Sequence, residues 1–265
     1  MKIAIRHSMS LALGPGVARG VQHVLLTPLT GPTQTVHEWS IEMPGMDRAA
    51  SFIDAFGNRA QLVSQIRPEP ELPITVAGIV ETIDRNGVIG RVPGDIPPAL
   101  YRRPTAATKA AGSITSKFRT APKTGQDRIA LLHALMARVA EVVGGEEQTQ
   151  TQDGQSQSQS SGVHAPASDY AHAFIGAARA LEIPARYVTG YLNGSDSEQP
   201  ALHAWAEAWD DGLGWIGFDA MLLLCPTDKH VRVAVGLDAT STMPVRSIPV
   251  AGEPQVLAMR VEAAQ

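Results

Sequence analysis

Three residue types in the second half of the chain could together perform acyl chemistry. His203 opens the run His203-Ala-Trp-Ala-Glu207, Asp219 closes Gly214-Trp-Ile-Gly-Phe-Asp219, and Cys225 follows in Leu224-Cys225-Pro226. A thiol becomes a nucleophile once an imidazole takes its proton, and a carboxylate behind the imidazole fixes its tautomer. Each signal alone is weak: a lone Asp at a strand end is commonly a turn former, and a lone Cys is commonly a small buried hydrophobe. A metal set is the other chemistry to weigh. Asp169 and His172 share a helix face, and with His164 and His203 they make the three or four ligands zinc wants. The reading assigns His172 to the helix structure and expects no metal.

These side chains need elements to hold them. Ser168 to Leu181 has the apolar pattern of a helix and runs through Pro184 into a strand, Ala185 to Leu192. His203 and Asp219 fall on two further strands joined by the tight turn Asp210-Asp211-Gly212, a strong hairpin signal. Trp205, Trp209, Trp215 and Phe218 interleave with them and are expected to form core and cleft walls. Val231 to Val235 and Gln255 to Val261 read as later strands. Arg232 and Arg246 are assigned to solvated strand faces.

The joint pattern is more specific than its parts. Ile183-Pro-Ala-Arg-Tyr-Val-Thr-Gly-Tyr-Leu192, His203-Ala-Trp-Ala-Glu207 and Gly214-Trp-Ile-Gly-Phe-Asp219, in that order, resemble the bacterial transglutaminase-like branch of the papain-like fold. The resemblance implies a helix opened by a Cys, with His and Asp on successive strands. Ala167-Ser168-Asp169-Tyr170-Ala171-His172 matches that helix start, so Ala167 stands at the nucleophile position, His203 at the general base and Asp219 at its orienter. Asp-Tyr-Ala-His also occurs where the family has its Cys and no metal. In an active member the helix macrodipole and the His both favour thiolate; a methyl group can neither attack nor give a proton.

Three accounts of Ala167 follow. The chain is a natural non-catalytic relative, which the altered neighbourhood Gly162-Val-His-Ala-Pro-Ala167 supports. Alternatively the nucleophile has moved to Cys225, since six extended residues span about 20 Å. In the third account a Cys at 167 was exchanged for Ala; Ser168, where the family has Gln, argues against this. The preferred reading is a binding or regulatory protein. Its peptide- or amide-binding cleft would be lined by Tyr170, Trp205, His203 and Asp219 and take a peptide or protein ligand. The alternatives are a cysteine peptidase or amide acyl-transferase using Cys225, and a scaffold whose cleft is filled.

The rest of the chain frames that half. At 265 residues with 44% hydrophobic and 18% charged residues, it reads as an ordinary globular protein of about two domains. A net charge of −4 without any Lys/Arg cluster argues against nucleic-acid binding. No membrane span and no cofactor fingerprint occurs. One cysteine fits a reducing compartment, so the expected location is the cytoplasm. The fold class expected is α+β: an all-β sandwich over residues 1–92, a Pro-rich connection over 93–125, and a papain-like transglutaminase core over 126–265.

In the first part, Lys2 to His7, Val21 to Leu26, Thr35 to Ile41, Arg59 to Ile66 and Leu72 to Ile83 read as strands. Asp54-Ala-Phe-Gly-Asn58 reads as a turn and resembles the N-terminal region of the same family. That part is expected to support the second, since fold alone does not confer function.

Gln126 to Val143 reads as a helix stopped by Gly144-Gly145, with His133 an ordinary helix-surface residue. Beyond it, Gln-Thr-Gln-Thr-Gln and Gln-Ser-Gln-Ser-Gln flank Asp153-Gly154. This is either a flexible linker or a hairpin over 147–160, with Gln152 opposite Gln155, Gln150 opposite Gln157 and Gln148 opposite Gln159. A hairpin near His203 would present a substrate-like glutamine ladder.

Overall fold

The structure, a computed structural model, describes residues 1–92, 95–119, 126–152, 166–194 and 201–264. The first part forms strands β1 (Lys2–Ala12), β2 (Arg19–Thr27), β3 (Gln34–Glu42), β4 (Ala50–Ile53), β5 (Arg59–Ile66) and β6 (Glu71–Thr82), then a short β7 (Val88–Gly90). Alternation explains β1: Ile3, Ile5, Met9 and Leu11 turn to one buried face. Past two 3-10 turns and the short α1 (Gly112–Thr115) come helices α2 (Gln126–Gln152) and α3 (Pro166–Ala180). The chain then returns to strands: β8 (Ala185–Leu192), β9 (His203–Asp210), β10 (Gly214–Phe218), β11 (His230–Gly236), β12 (Val245–Ile248) and β13 (Gln255–Ala263).

The described residues form three sheets, ordered β13-β1-β6-β3, β12-β2-β5-β4 and β11-β8-β9-β10-β7. The sheet order redraws the division expected from sequence. β13 pairs with β1 and β12 with β2, so the C-terminal strands complete the two N-terminal sheets and do not extend the core. β7, expected in the N-terminal part, instead pairs with β10 at the edge of the core sheet. Strand patterns specify that a face is buried, but they do not name the partner strand; pairing is a long-range choice. The inward residues Met9, Leu11, Leu72, Ile74 and Val76 of one sheet share a core with Val24, Leu26, Val63 and Val245 of the other.

The core sheet is covered by α3. Along α3, Ala171, Phe174, Ile175 and Ala178 recur at helical spacing and are buried. On β9 they meet Ala204, Ala206 and Ala208, whose small side chains let the helix lie close. α2 adds Leu132, Leu135, Met136 and Val139 to the same cluster. Each large side chain so buried contributes roughly 1.5–3 kcal/mol. Phe174 stacks on Phe218 with centroids 5.1 Å apart, and His133, exposed on α2, stands edge-on to Phe218.

α2 does not stop at Gly144-Gly145; it runs on to Gln152. Two glycines cost a helix only about 1 kcal/mol each relative to Ala, and the Glu and Gln that follow are good helix formers. The first arm of the expected Gln hairpin is therefore helical, which removes the cross-strand pairing. Its second arm and turn, residues 153–160, lie outside the described residues, as does His164. Among the described residues no helix is long and apolar enough to cross a membrane.

The N-terminal sheets are fastened to the core through amide side chains. Asp54 Oδ1 accepts from the N–H groups of Phe56 and Asn58, closing the Asp-Ala-Phe-Gly-Asn turn. Asn58 then donates from Nδ2 to the Val235 carbonyl and accepts the Val235 N–H at Oδ1, both at 2.8 Å. Gln34 does the same with Arg232, donating to its carbonyl and accepting its N–H, both at 2.8 Å. Two side-chain amides thus occupy the free edge of β11, which would otherwise offer unpaired backbone groups.

Candidate functional site

His203 is the first residue of β9 and Asp219 follows the last residue of β10. Antiparallel pairing of the two strands brings them side by side: His203 Nε2 lies 2.5 Å from Asp219 Oδ2. His203 is 9% exposed and Asp219 fully buried, so the pair is nearly out of water. Burial alone would push the Asp219 carboxyl up. Hydrogen bonds from His203, His230 and the Leu222 N–H outweigh it and hold the carboxyl at about 2. Asp219 therefore remains a carboxylate and orients His203 with its Nε2 proton inward. The other ring nitrogen, Nδ1, makes no hydrogen bond among the described residues.

His230 completes the cluster, and sequence reasoning missed it. Its Nε2 lies 3.2 Å from the same Asp219 oxygen, while its Nδ1 accepts the Thr227 N–H at 3.1 Å. A backbone N–H can only donate, so Nδ1 is the acceptor and Nε2 carries the proton toward Asp219. His203 and His230 sit on strands separated by β8, and Gly190 of β8 pairs with both His203 and Arg232. A Cβ at Gly190 would stand 2.7 Å from the Trp205 ring and 2.1 Å from the Val231 carbonyl. Its missing side chain leaves room for the Trp205 and His230 rings to meet at 5.3 Å, edge to face. The strand reading began at Val231; one residue earlier, the start of that alternation was the available signal.

The three groups His203, Asp219 and His230 also have the types and proximity, within 4.8 Å, that a metal ion uses. Both Nε2 atoms lie on a single carboxylate oxygen of Asp219. Asp169 and His172 lie elsewhere. His172 Nε2 accepts the Ala239 N–H, and its ring lies against Tyr187, which makes it a brace between α3 and the loop after β11.

Ala167 lies in the first turn of α3, 2% exposed, in the same core cluster as Ala204, the neighbour of His203. Tyr170 packs against α2, where a Cβ on Gly144 would stand 3.1 Å from its hydroxyl. Trp205 does join the cluster, its ring 6.1 Å from that of His203.

Cys225 is half-buried and packs on Gly87, where an added Cβ would stand 3.4 Å from its Sγ. Burial pushes its thiol up, and among the described residues no hydrogen bond joins it to His203.

Behind the dyad, on the same face of β9 as Trp205, lies a buried ion cluster. Glu207 accepts from Arg186 Nε at 2.6 Å and from Arg232 Nε at 3.0 Å. Arg186, fully buried, also reaches Asp95 at 2.9 Å and lies over the Trp215 ring at 3.9 Å. Arg232 is thus an internal partner and not part of a solvated face, whereas exposed Arg246 meets His23. The spacing of Arg186, Glu207 and Arg232 in sequence gives no hint of this; only the order β11-β8-β9 aligns them.

Residues 115–220 match the transglutaminase-like superfamily core, and residues 3–81 match the bacterial transglutaminase-like N-terminal region. The chain is a member of the bacterial transglutaminase-like family. Among its relatives, this transglutaminase-like protein is 24% identical to the uncharacterized protein ML0607 of Mycobacterium leprae, over 93% of this chain and 92% of that one. A crystal structure from Cytophaga hutchinsonii, provisionally named a cysteine protease, aligns over 100% of this chain and 90% of that chain. Its TM-score is 0.66 at 21% identity, a likeness of fold. Within the family pattern this protein keeps the His and the Asp and has Ala167 at the helix position.

Proposed function

We propose that this transglutaminase-like protein binds a peptide or amide-bearing ligand beside His203 without transferring its acyl group. The observation that carries the reading is Ala167, a buried methyl at the start of α3, together with a His203–Asp219 pair whose Nδ1 has no partner. Acyl transfer in this fold begins when a thiolate attacks the carbonyl and the leaving amine takes the proton held by the His. With a methyl at 167 there is nothing to attack, but the imidazole still offers Nδ1 to a ligand N–H. The state of Cys225 supports the same reading: its thiol is disfavoured as thiolate by burial and has no hydrogen bond to an imidazole. A lone cysteine suits a reducing compartment, and the reading places the protein in the cytoplasm.

The test compares wild type, Ala167→Cys and Cys225→Ser for hydroxamate formation from a glutamine-containing dipeptide and hydroxylamine, and for iodoacetamide alkylation across pH. Wild type should form no hydroxamate above the protein-free control. Ala167→Cys should gain a thiol alkylated near neutral pH, and His203→Ala should slow it. Turnover by wild type that Cys225→Ser abolishes would establish the relocated nucleophile instead.

A further inference from the structure

The loop that follows β10 carries side chains that its own fold does not call for. Between Asp219 and Thr227 the chain reads Ala220-Met-Leu-Leu-Leu-Cys-Pro226, without one charged, hydroxyl or amide side chain. Backbone groups close it: the Asp219 N–H donates to the Leu224 carbonyl at 2.9 Å and the Leu224 N–H to the Asp219 carbonyl at 3.2 Å. The Leu222 N–H donates to Asp219 Oδ1 at 3.1 Å. None of these bonds uses a side chain of residues 221–223. Leu223 sits at φ +56°, the left-handed region that Gly, Asn and Asp enter most readily. Yet Met221, Leu222 and Leu223 are 41%, 39% and 56% exposed. Scattered exposed apolar residues are ordinary. Three in succession on a hydrogen-bonded loop beside Asp219, one of them in a conformation that Leu adopts at a cost, point to a contact outside the chain.

The loop is joined to the site. Leu222 holds Asp219 through Oδ1 and Asp219 holds His203 through Oδ2, so two hydrogen bonds link the apolar loop to the imidazole. Resting on the reading of His203 Nδ1 as an acceptor for a ligand amide N–H, we infer that Met221, Leu222 and Leu223 are specificity-determining residues of that site. They take a large apolar side chain that the ligand carries next to its amide. The class of side chain follows from what the loop offers. Its exposed methyl and methylene groups favour a partner that removes apolar area from water. A polar side chain in the same place would lose water and find neither donor nor acceptor among the loop's side chains. The backbone bonds fix the loop before a ligand arrives, so little ordering opposes the contact.

The experiment titrates the full-length protein with N-acetyl-leucine amide, N-acetyl-glutamine amide and N-acetyl-glycine amide, following the Met221 methyl and His203 ring resonances by NMR. The leucine amide should shift both resonances saturably and bind about tenfold tighter than the glycine amide, with the glutamine amide close to glycine. Leu223→Asn suits the left-handed backbone and keeps the loop folded. Combined with Met221→Ser and read through His203, it should bring the leucine amide to within about twofold of the glycine amide. A Met221 methyl that no probe moves, a glutamine amide as tight as the leucine amide, or a leucine preference that survives the double variant would each overturn the inference. So would self-association that the double variant abolishes, which would assign the loop to a second copy of the chain. His203→Ala separates this inference from the reading beneath it. Unchanged affinity for the glycine amide in that variant overturns the acceptor role of Nδ1, whereas equal leucine and glycine affinities with His203 still shifting overturn the role of the loop alone.

Discussion

The site turns on one oxygen. Asp219 Oδ2 accepts from two imidazoles and is the reason His203 keeps a fixed tautomer. Its carboxyl is held at about 2, against 3.8 for an unperturbed Asp. The unfolded chain therefore binds a proton below about pH 4 that the folded chain resists. Stability from this group is fully present above pH 3.8 and is lost as pH falls toward 2, roughly 2 kcal/mol in all. Asp219→Asn should flatten the urea-unfolding stability profile across that window; an unchanged acid limb would show that the carboxylate is not held there. Glu207 poses the opposite situation, a carboxylate buried between Arg186 and Arg232. Glu207→Gln leaves two arginines without their shared counter-charge and should cost about 3–5 kcal/mol, read from the urea midpoint.

Among the elements, β11 and α2 depart most from what local pattern suggests. The edge of β11 is closed by Asn58 and Gln34, each exchanging two hydrogen bonds with backbone. Asn58→Ala leaves the Val235 N–H and C=O without these partners, and it should destabilise the protein by about 2–3 kcal/mol. Gln61→Ala, on β5 nearby, serves as a control with little effect, because the bond it makes is one side-chain contact to Thr27. Along α2, an added Cβ at Gly145 meets no atom within 4 Å, and the residue does not have positive φ. Gly145→Ala should raise far-UV helicity and add about 0.5–1 kcal/mol. A loss of helicity would mean that the helix ends at the glycine pair, as the local pattern suggests.

The two ends of the chain are joined in the whole molecule. Ser8 and Arg6 of β1 pair with Ala258 and Arg260 of β13, and Val21 and Val24 of β2 pair with Ile248 and Val245 of β12. Residues 1–92 alone would therefore expose an edge on each sheet and lose Val245 from their shared core. Truncation after Pro244 should give a chain that aggregates or elutes as large species on size exclusion, while the full chain does not. A well-dispersed NMR spectrum from the truncated protein would refute this interdependence. A third core binds the N-terminal strands to the transglutaminase-like sheet: Ile3, Ile5, Leu25 and Val80 meet Tyr191, Val231 and Val233.

Much of this was legible in the residues themselves. The alternation of β1, the 3.6-residue stripe of α3, the Asp210-Asp211-Gly212 turn and the pairing of His203 with Asp219 all rest on spacings of a few residues or on adjacent antiparallel strands. The joint motifs around them sufficed to identify the family. Other features depended on which strand lies beside which. His230 reaches Asp219 because β8 presents Gly190 between them, Tyr170 packs against α2 at Gly144, and β12 and β13 close sheets begun at the other end of the chain. Short-range periodicity states which face of an element is buried, and only the long-range packing of those faces decides what they bury.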